Sequence, residues 1–121
     1  MTQHEHPLTD DSWSYYRSAF RRRSGPFPTL AILVTIIDQI CELGYSERLY
    51  AGESLDNLVI SVRPKPRDRR QTILVIPKGD AVEFRLYGEQ GEAEVCTVAL
   101  DQVGSALDHL LSRLVASRSE A

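Results

Sequence analysis

The sequence has little of what marks the specialised classes of small protein. It contains two cysteines, Cys41 and Cys96, so the disulfide-dense framework of secreted domains is absent. Residues 1–7 carry neither the basic nor the apolar region of a signal peptide. The longest apolar run, residues 30–34, is far shorter than the roughly 20 residues of a membrane-spanning helix. We therefore expect a protein of a reducing, cytoplasmic compartment that has no membrane partner.

An excess of positive charge is also missing. Lysine and arginine number 14 against 17 aspartates and glutamates, which gives a net charge of −3. Most nucleic-acid-binding domains carry a strongly basic footprint, and this composition excludes one for the domain as a whole. A local basic patch within an acidic total remains compatible with these counts.

What is present is the composition of a globular domain. The hydrophobic fraction is 42% and the charged fraction 26%, far from the signature of disorder, so the chain can build a core. A length of 121 residues is close to the commonest size of one domain. We expect a single domain at residues 10–116, a flexible N-terminal tail at 1–9 and a frayed tail at 117–121.

Apolar residues at helical spacing predict three helices. The first begins near Asp10 and ends at the arginines 21–23, before two prolines that cannot continue it. The second covers 29–43 and is apolar around most of its circumference, with Gly44 as the left-handed residue that ends it. The third covers 101–115, with Asp101 as its N-cap. The breadth of the apolar surface on the second helix makes a homodimer a candidate assembly.

Between the second and third helices the apolar period changes to two. Segments rich in β-branched and aromatic residues predict strands at 57–62, 72–76, 82–87 and 93–100, with 49–51 as a candidate fifth. The connectors have the length of hairpin loops, so the sheet should be an antiparallel meander. The fold class is therefore α+β, a two-layer sandwich in which four or five strands pack against helices in the order α-α-β-β-β-β-α.

The same spacings predict which side chains are buried. They are those on the expected inner faces of the second and third helices and of the strands: Leu33, Ile36, Ile37, Ile40, Val59, Ile73, Val75, Phe84, Leu107, Leu110 and Leu114.

Two basic segments are the most distinctive feature of the sequence. One is the run Arg21, Arg22 and Arg23. The other lies between two predicted strands and contains Arg63, Lys65, Arg67, Arg69 and Arg70, so the two segments together hold eight of the 14 cations. If they meet in space, they form a patch that attracts phosphate or an acidic protein surface. A solvated loop that keeps the chain soluble fits the same residues.

The strand at 82–87 alternates cleanly, which places Glu83, Arg85 and Tyr87 together on a solvent-exposed face. Tyrosine and arginine are enriched at interface hot spots, so Arg85 and Tyr87 join the basic residues as candidate partner-binding residues. An ordinary half-exposed sheet carries the same residues.

The sequence presents no catalytic constellation, and we predict no catalytic residues, metal site or cofactor. His4 and His6 fall in the expected tail, and His109 has no partner in the sequence that would position it as a general base. Cys41 and Cys96 fit best as small buried apolar groups.

These observations favour a binding module over an enzyme. The leading hypothesis is a non-enzymatic protein-binding module of the adaptor, chaperone or immunity-protein type with an unidentified protein partner. The alternative is a weak nucleic-acid or anion binder that acts through 21–23 and 63–70, and a catalytic role ranks third.

Overall fold

A computed structural model describes residues 8–64 and 68–119 and shows an α+β fold. Two helices come first, followed by five consecutive strands and a closing helix that is preceded by a short 3-10 turn. The helices are α1 (Leu8–Arg23), α2 (Leu30–Glu42) and α3 (Val103–Ser119), and the turn is Leu100–Gln102. The strands are β1 (Tyr50–Ser54), β2 (Asn57–Ser61), β3 (Thr72–Pro77), β4 (Ala81–Tyr87) and β5 (Ala93–Ala99).

The strands form one antiparallel sheet in the order β1-β2-β3-β4-β5, so each strand pairs with its neighbour in sequence. This confirms the predicted meander. The candidate fifth strand at 49–51 is present as β1. The connection between β1 and β2 is a tight turn, in which Leu55 and Asp56 both have positive φ, of 52° and 67°. Two-residue hairpin turns with two positive φ values match the twist of the strands they join.

The core lies between one face of the sheet and the three helices. Buried side chains of β2, β3 and β4 meet those of α1, α2 and α3 in a single cluster, which includes Ile60, Ile73, Phe84, Phe20 and Leu107. Ten of the eleven residues predicted to be buried are buried. The sequence therefore assigned the inner faces of α2, β3, β4 and α3 correctly, but not that of β2.

Val59 is the exception, and that prediction was wrong. Leu58 and Ile60 are fully buried, whereas Val59 is partly exposed on the opposite face. Three consecutive apolar residues leave the alternation ambiguous, and a one-residue slip moves every side chain to the other face.

The C-terminal end of α2 is a Schellman motif around Gly44, as predicted. Gly44 has φ of +88°, its amide donates to the Cys41 carbonyl at 3.0 Å, and the Tyr45 amide donates to the Ile40 carbonyl at 3.2 Å. The same helix buries Leu30, Leu33, Ile36, Ile37 and Ile40 within this chain, while Cys41 is exposed. The helix is thus amphipathic, so its apolar surface no longer argues for a dimer, and the expected burial of Cys41 was wrong.

Helix α1 lies along strand β1 and covers that edge of the sheet. The indole Nε1 of Trp13 donates to the Leu49 carbonyl at 2.9 Å, and the backbone amide of Ala51 donates to the Ser12 hydroxyl at 3.1 Å. Because an edge strand has unpaired backbone groups, these bonds supply partners that the sheet lacks there.

Helix ends differ from the prediction in three places. Helix α1 begins at Leu8, before the expected start at Asp10, and α3 ends at Ser119, beyond the expected end at residue 115. Asp101 is exposed within the 3-10 turn and does not cap α3. The chain takes one tighter turn before the helix, which moves this carboxylate out of the first turn of α3.

Candidate functional site

The face of the sheet that points away from the core is the largest candidate surface, and we call it the open face. Its middle row crosses the sheet from Gly52 through Val59, Leu74 and Arg85 to Val95, because these residues are directly paired across the strands. Leu74 is only 5% exposed although it lies outside the main core, while Val95 is 57% exposed. The row therefore combines an apolar centre with accessible ends.

A cleft of about 390 Å³ opens where β1 and β2 meet the loop between β2 and β3. Aromatic, apolar and hydroxyl side chains form its floor, and charged groups from the loop form its rim. Its described lining includes Tyr16, Tyr50, Gly52, Ser54, Val59 and Ser61 on one side and Arg63, Pro64, Asp68, Arg69 and Thr72 on the other. None of the lining residues within the described part of the chain is a histidine, cysteine or lysine.

At the rim of the cleft, one carboxylate of the loop pairs with two of its arginines. The Asp68 carboxylate lies 3.0 Å from Nη2 of Arg70 and 3.6 Å from Nη2 of Arg63. The hydrogen bond from Arg70 lowers the pKa of Asp68 below its ordinary value, so this carboxylate is ionised at neutral pH. Nε of Arg63 is buried and has no hydrogen-bond partner among the described residues. A buried donor of this kind favours an incoming acceptor.

Arg69 joins the loop to the open face. Its guanidinium lies 5.7 Å from the centroid of the Tyr87 ring, and its Nη2 is 3.4 Å from the Ser54 hydroxyl. The carbonyl of Arg69 accepts a hydrogen bond of 2.6 Å from the Thr72 hydroxyl. The end of the loop at Arg69 therefore lies against the sheet, and there the two surfaces that the sequence offered as separate candidates meet.

Farther along the open face, Arg85 forms an ion pair with Glu83, and Nζ of Lys78 lies 3.7 Å from the same carboxylate. The hydrogen bond from Arg85 lowers the pKa of Glu83. The expected grouping of Glu83, Arg85 and Tyr87 on one face is confirmed, since the alternating residues Val82 and Phe84 are buried on the other face. In this part of the face, both named cations are paired with the same carboxylate.

The first basic segment, residues 21–23 at the end of α1, lies next to the β1–β2 hairpin. Arg23 pairs with Glu53 at 2.9 Å and also with Asp56 in the β1–β2 turn, and its guanidinium lies over the Phe20 ring. Arg21 and Arg22 are exposed at the end of α1. Both basic segments therefore converge on the β1–β2 hairpin, but acidic residues lie between them, and no uninterrupted cationic patch forms within the described residues.

The remaining candidates fall into two groups. Lys65 and Arg67, and also His4 and His6, lie outside the described residues. His109 is exposed on α3, and its neighbour Asp108 accepts a hydrogen bond of 3.1 Å from the Tyr45 hydroxyl. Within 8–64 and 68–119 no three histidine, cysteine, aspartate or glutamate side chains come together as metal ligands would.

Sequence reasoning missed the cleft, because its floor consists of residues that have no chemical signature of their own. Ser54, Ser61 and Thr72 come from three different strands. One signal was available: Gly52 is a glycine inside a strand, and such a position marks a site where another group approaches the backbone closely.

A smaller groove of about 170 Å³ lies between α2 and the 3-10 turn. Apolar side chains, among them Ile32, Leu100 and Val103, line most of it. Oε1 of Gln39 is buried at this groove without a hydrogen-bond partner in the described structure. The groove holds no ionisable group among its described lining residues.

The α+β meander with a cleft on its open face is the class that the structure defines. Comparisons with protein-family models, with curated proteins and with solved structures find no match. None of the helices in the described part of the chain is long and apolar enough to span a bilayer.

Proposed function

We propose that this protein is a non-enzymatic, adaptor-type module that binds an extended, acidic segment of a partner protein on its open face. The observation that carries the proposal is the continuity of the cleft with the row Arg69, Tyr87 and Arg85. Together they make one long surface on the side of the sheet that faces away from the helices. A surface of this shape accommodates a chain segment better than a small substrate, which needs an enclosed pocket.

The chemistry of the cleft indicates the partner segment. Arg63 has a buried Nε without a partner, and Arg69 has no carboxylate within ion-pairing distance among the described residues. A carboxylate from the partner would accept from both guanidiniums, as arginine binds carboxylates in a planar, two-pronged geometry. Beside them, Tyr50 and Val59 offer apolar contact to the neighbouring side chains of the segment. Such a combination of arginine, tyrosine and apolar residues is typical of interface hot spots.

The distribution of charge favours a protein over a nucleic acid. Polyanion binders need cations that remain available to phosphates. Here Arg23 is engaged by Glu53 and Asp56, and Arg70 by Asp68. The acidic side chains that lie among these arginines would repel a continuous phosphate backbone. A single carboxylate of a partner protein, by contrast, can be placed between the acidic side chains.

The absence of an activating environment supports a role without catalysis. In the cleft, Asp68 has a lowered pKa, and Glu53 lies 2.9 Å from Arg23. A carboxyl group that acts as a general acid or base near neutral pH needs a raised pKa instead. We accordingly assign no cofactor, and we place the protein in a reducing cytoplasmic compartment, which suits two cysteines that form no disulfide.

The experiment compares two matched double variants in affinity capture from the native host. Arg63→Ala/Arg69→Ala removes two cations from the cleft, and Arg21→Ala/Arg22→Ala removes the same charge from the end of α1. A partner that binds the open face is captured by the wild type and by the α1 variant, and its recovery falls at least tenfold with the cleft variant.

The recovered partner, once purified, is then titrated against the three proteins at low and high salt, with duplex RNA and DNA as competing ligands. Equal affinity of both variants for the partner would contradict the proposal. A steep loss of nucleic-acid binding with salt, in the absence of a protein partner, would favour the anion-binding alternative.

A further inference from the structure

Strand β5 forms an edge of the sheet, and no other strand of the described residues pairs with its outer side. It is the last strand in the sheet order and pairs with β4 at seven consecutive positions, from Tyr87↔Ala93 to Ala81↔Ala99. The Gly88 amide donates to the Glu92 carbonyl at 2.9 Å, and from this pair the antiparallel pattern alternates along the strand. The backbone groups of the alternate residues therefore point away from β4. These are Ala93, Val95, Thr97 and Ala99.

This edge lacks the devices by which proteins prevent edge-to-edge pairing. Natural edges carry lysines, prolines, bulges or unpaired charges, or are covered. Residues 93–99 contain no lysine, arginine or proline, and their pairing with β4 has no bulge. The one charge, Glu94, is held by Arg113 of α3 at 2.9 and 3.1 Å, which lowers its pKa. At the opposite edge, β1, the Ala51 amide donates a hydrogen bond to the Ser12 hydroxyl of α1.

The β5 residues whose backbone groups point away from β4 would match those of a second copy of the strand. When two copies of β5 are aligned antiparallel about Cys96, alanines 93 and 99 face each other at the ends, and Val95 of each copy faces Thr97 of the other. Valine and threonine are both β-branched and similar in shape, so every cross-strand pair on that face matches. Glu94 lies opposite Val98, so no like charges are directly opposed. A second copy of this strand thus fits the edge in size, charge and hydrogen bonding.

We propose that two copies of this chain associate through β5, which joins their sheets into one continuous sheet about a two-fold axis. In this register all outward backbone groups of both strands find partners, and the pairing covers the full strand. Because the two-fold axis pairs the β5 edge of each copy with the β5 edge of the other, this interface closes at two copies and does not grow into a fibre. The proposal does not depend on the partner segment proposed for the open face.

The proposed register predicts that a disulfide can form between the two copies at its centre. The two Cys96 residues form a directly opposed pair that is not hydrogen-bonded, for which the Cα atoms are about 4.5 Å apart. That separation is within the range of about 4.4 to 6.8 Å that a disulfide spans. Diamide should therefore take up the two hydrogen atoms of the paired thiols and leave a disulfide between the copies.

The cross-linking test uses the second cysteine as its control. Cys41→Ser is expected to give a covalent dimer on oxidation, and Cys96→Ser is expected to give none, although Cys41 is exposed. Cross-linking that requires Cys41 and not Cys96 would overturn the proposal. So would a single sedimenting species of monomer mass over a wide range of protein concentration.

A second pair of variants tests the hydrogen bonds themselves. Thr97→Pro removes an amide that points away from β4, so it should leave the fold intact and weaken dimerisation at least tenfold in sedimentation equilibrium. Thr97→Ala retains the amide and should dimerise. If Thr97→Pro loses its circular dichroism spectrum, Val95→Lys, which only adds a charge to the exposed edge, replaces it. Unchanged dimerisation of a folded proline or lysine variant would overturn the assignment to β5.

Discussion

The guanidinium of Arg69 lies over the ring of Tyr87, with 5.7 Å between the guanidinium carbon and the ring centroid. Arg69 belongs to the loop between β2 and β3, and Tyr87 is the last residue of β4. This cation–π contact, together with the Arg69–Ser54 and Thr72–Arg69 hydrogen bonds, holds the loop against the open face. The rim of the cleft thus depends on residues far apart in sequence.

Replacing Tyr87 with leucine should loosen that loop without unfolding the protein. Leucine fills part of the same space but offers no ring for the cation. We expect faster amide hydrogen exchange at residues 69 and 70 in Tyr87→Leu, with protection in β3 unchanged. Tyr87→Phe, which keeps the ring, should exchange as the wild type does; equal acceleration in both variants would rule out the ring contact as the anchor.

Leu110 tests the packing of α3 against the core. It is 4% exposed, and truncation of a buried leucine usually costs about 2 to 4 kcal/mol of unfolding free energy. Leu110→Ala should fall in that range in urea denaturation. Leu43→Ala, at a 42% exposed position, should cost less than about 1 kcal/mol. Losses of similar size would mean that α3 contributes little to the core.

Leu55 occupies a strained position that a single substitution should relieve. It has φ of 52° and is 90% exposed, so it gains nothing from burial. A left-handed conformation costs an L-residue about 1 to 2 kcal/mol, and asparagine tolerates it better. Leu55→Asn should therefore raise the unfolding free energy by about 0.5 to 1 kcal/mol. Leu55→Ala removes the same exposed side chain but retains the strain, so it should not stabilise; equal stabilisation would point to the loss of the side chain instead.

The ion pair between α1 and α2 should make stability depend on pH. Nε and Nη2 of Arg17 donate to the two carboxylate oxygens of Asp38 at 2.6 and 3.1 Å, and this lowers the pKa of Asp38 in the folded state. A lowered folded pKa stabilises the protein above the unfolded carboxyl pKa of about 4, and the benefit disappears as the pH falls through the folded value. The difference in unfolding free energy between wild type and Asp38→Asn should thus be largest at neutral pH and shrink under acid.

Denaturation of both proteins at several pH values checks this expectation. Asp101→Asn is the control, because Asp101 is exposed in the 3-10 turn. A difference for Asp38→Asn that stays constant down to strongly acidic pH would show that the carboxylate charge plays no part.

The elements could be read from the sequence because side-chain period and turn residues act locally. Gly44 ended α2 as expected, and the alternation in β4 gave its buried and exposed sides correctly. The predicted burial of Val59 in β2 was wrong, because this strand has apolar residues on both faces and its sequence therefore does not alternate. The length of β1 was also underestimated, because Gly52 and Glu53 are poor strand formers that gain their place by pairing with β2.

The candidate site could be predicted only in part. Arginine content identified the two basic segments, but it could not show that Glu53 and Asp56 would pair with Arg23. Nor could it show that the loop would fold over the sheet to reach Tyr87. Both relationships depend on tertiary packing between distant segments, for which a single sequence has no local signal.

Site-specific photo-cross-linking in the native host tests most directly whether the open face binds a partner protein. Benzoylphenylalanine replaces Tyr87 on the open face or, as the control, Phe27, which is 58% exposed in the connection between α1 and α2. We expect an adduct to one partner protein from position 87, its loss in the Arg63→Ala/Arg69→Ala background, and no such adduct from position 27. An adduct from position 27 alone, or one from position 87 that persists without the two arginines, would contradict it.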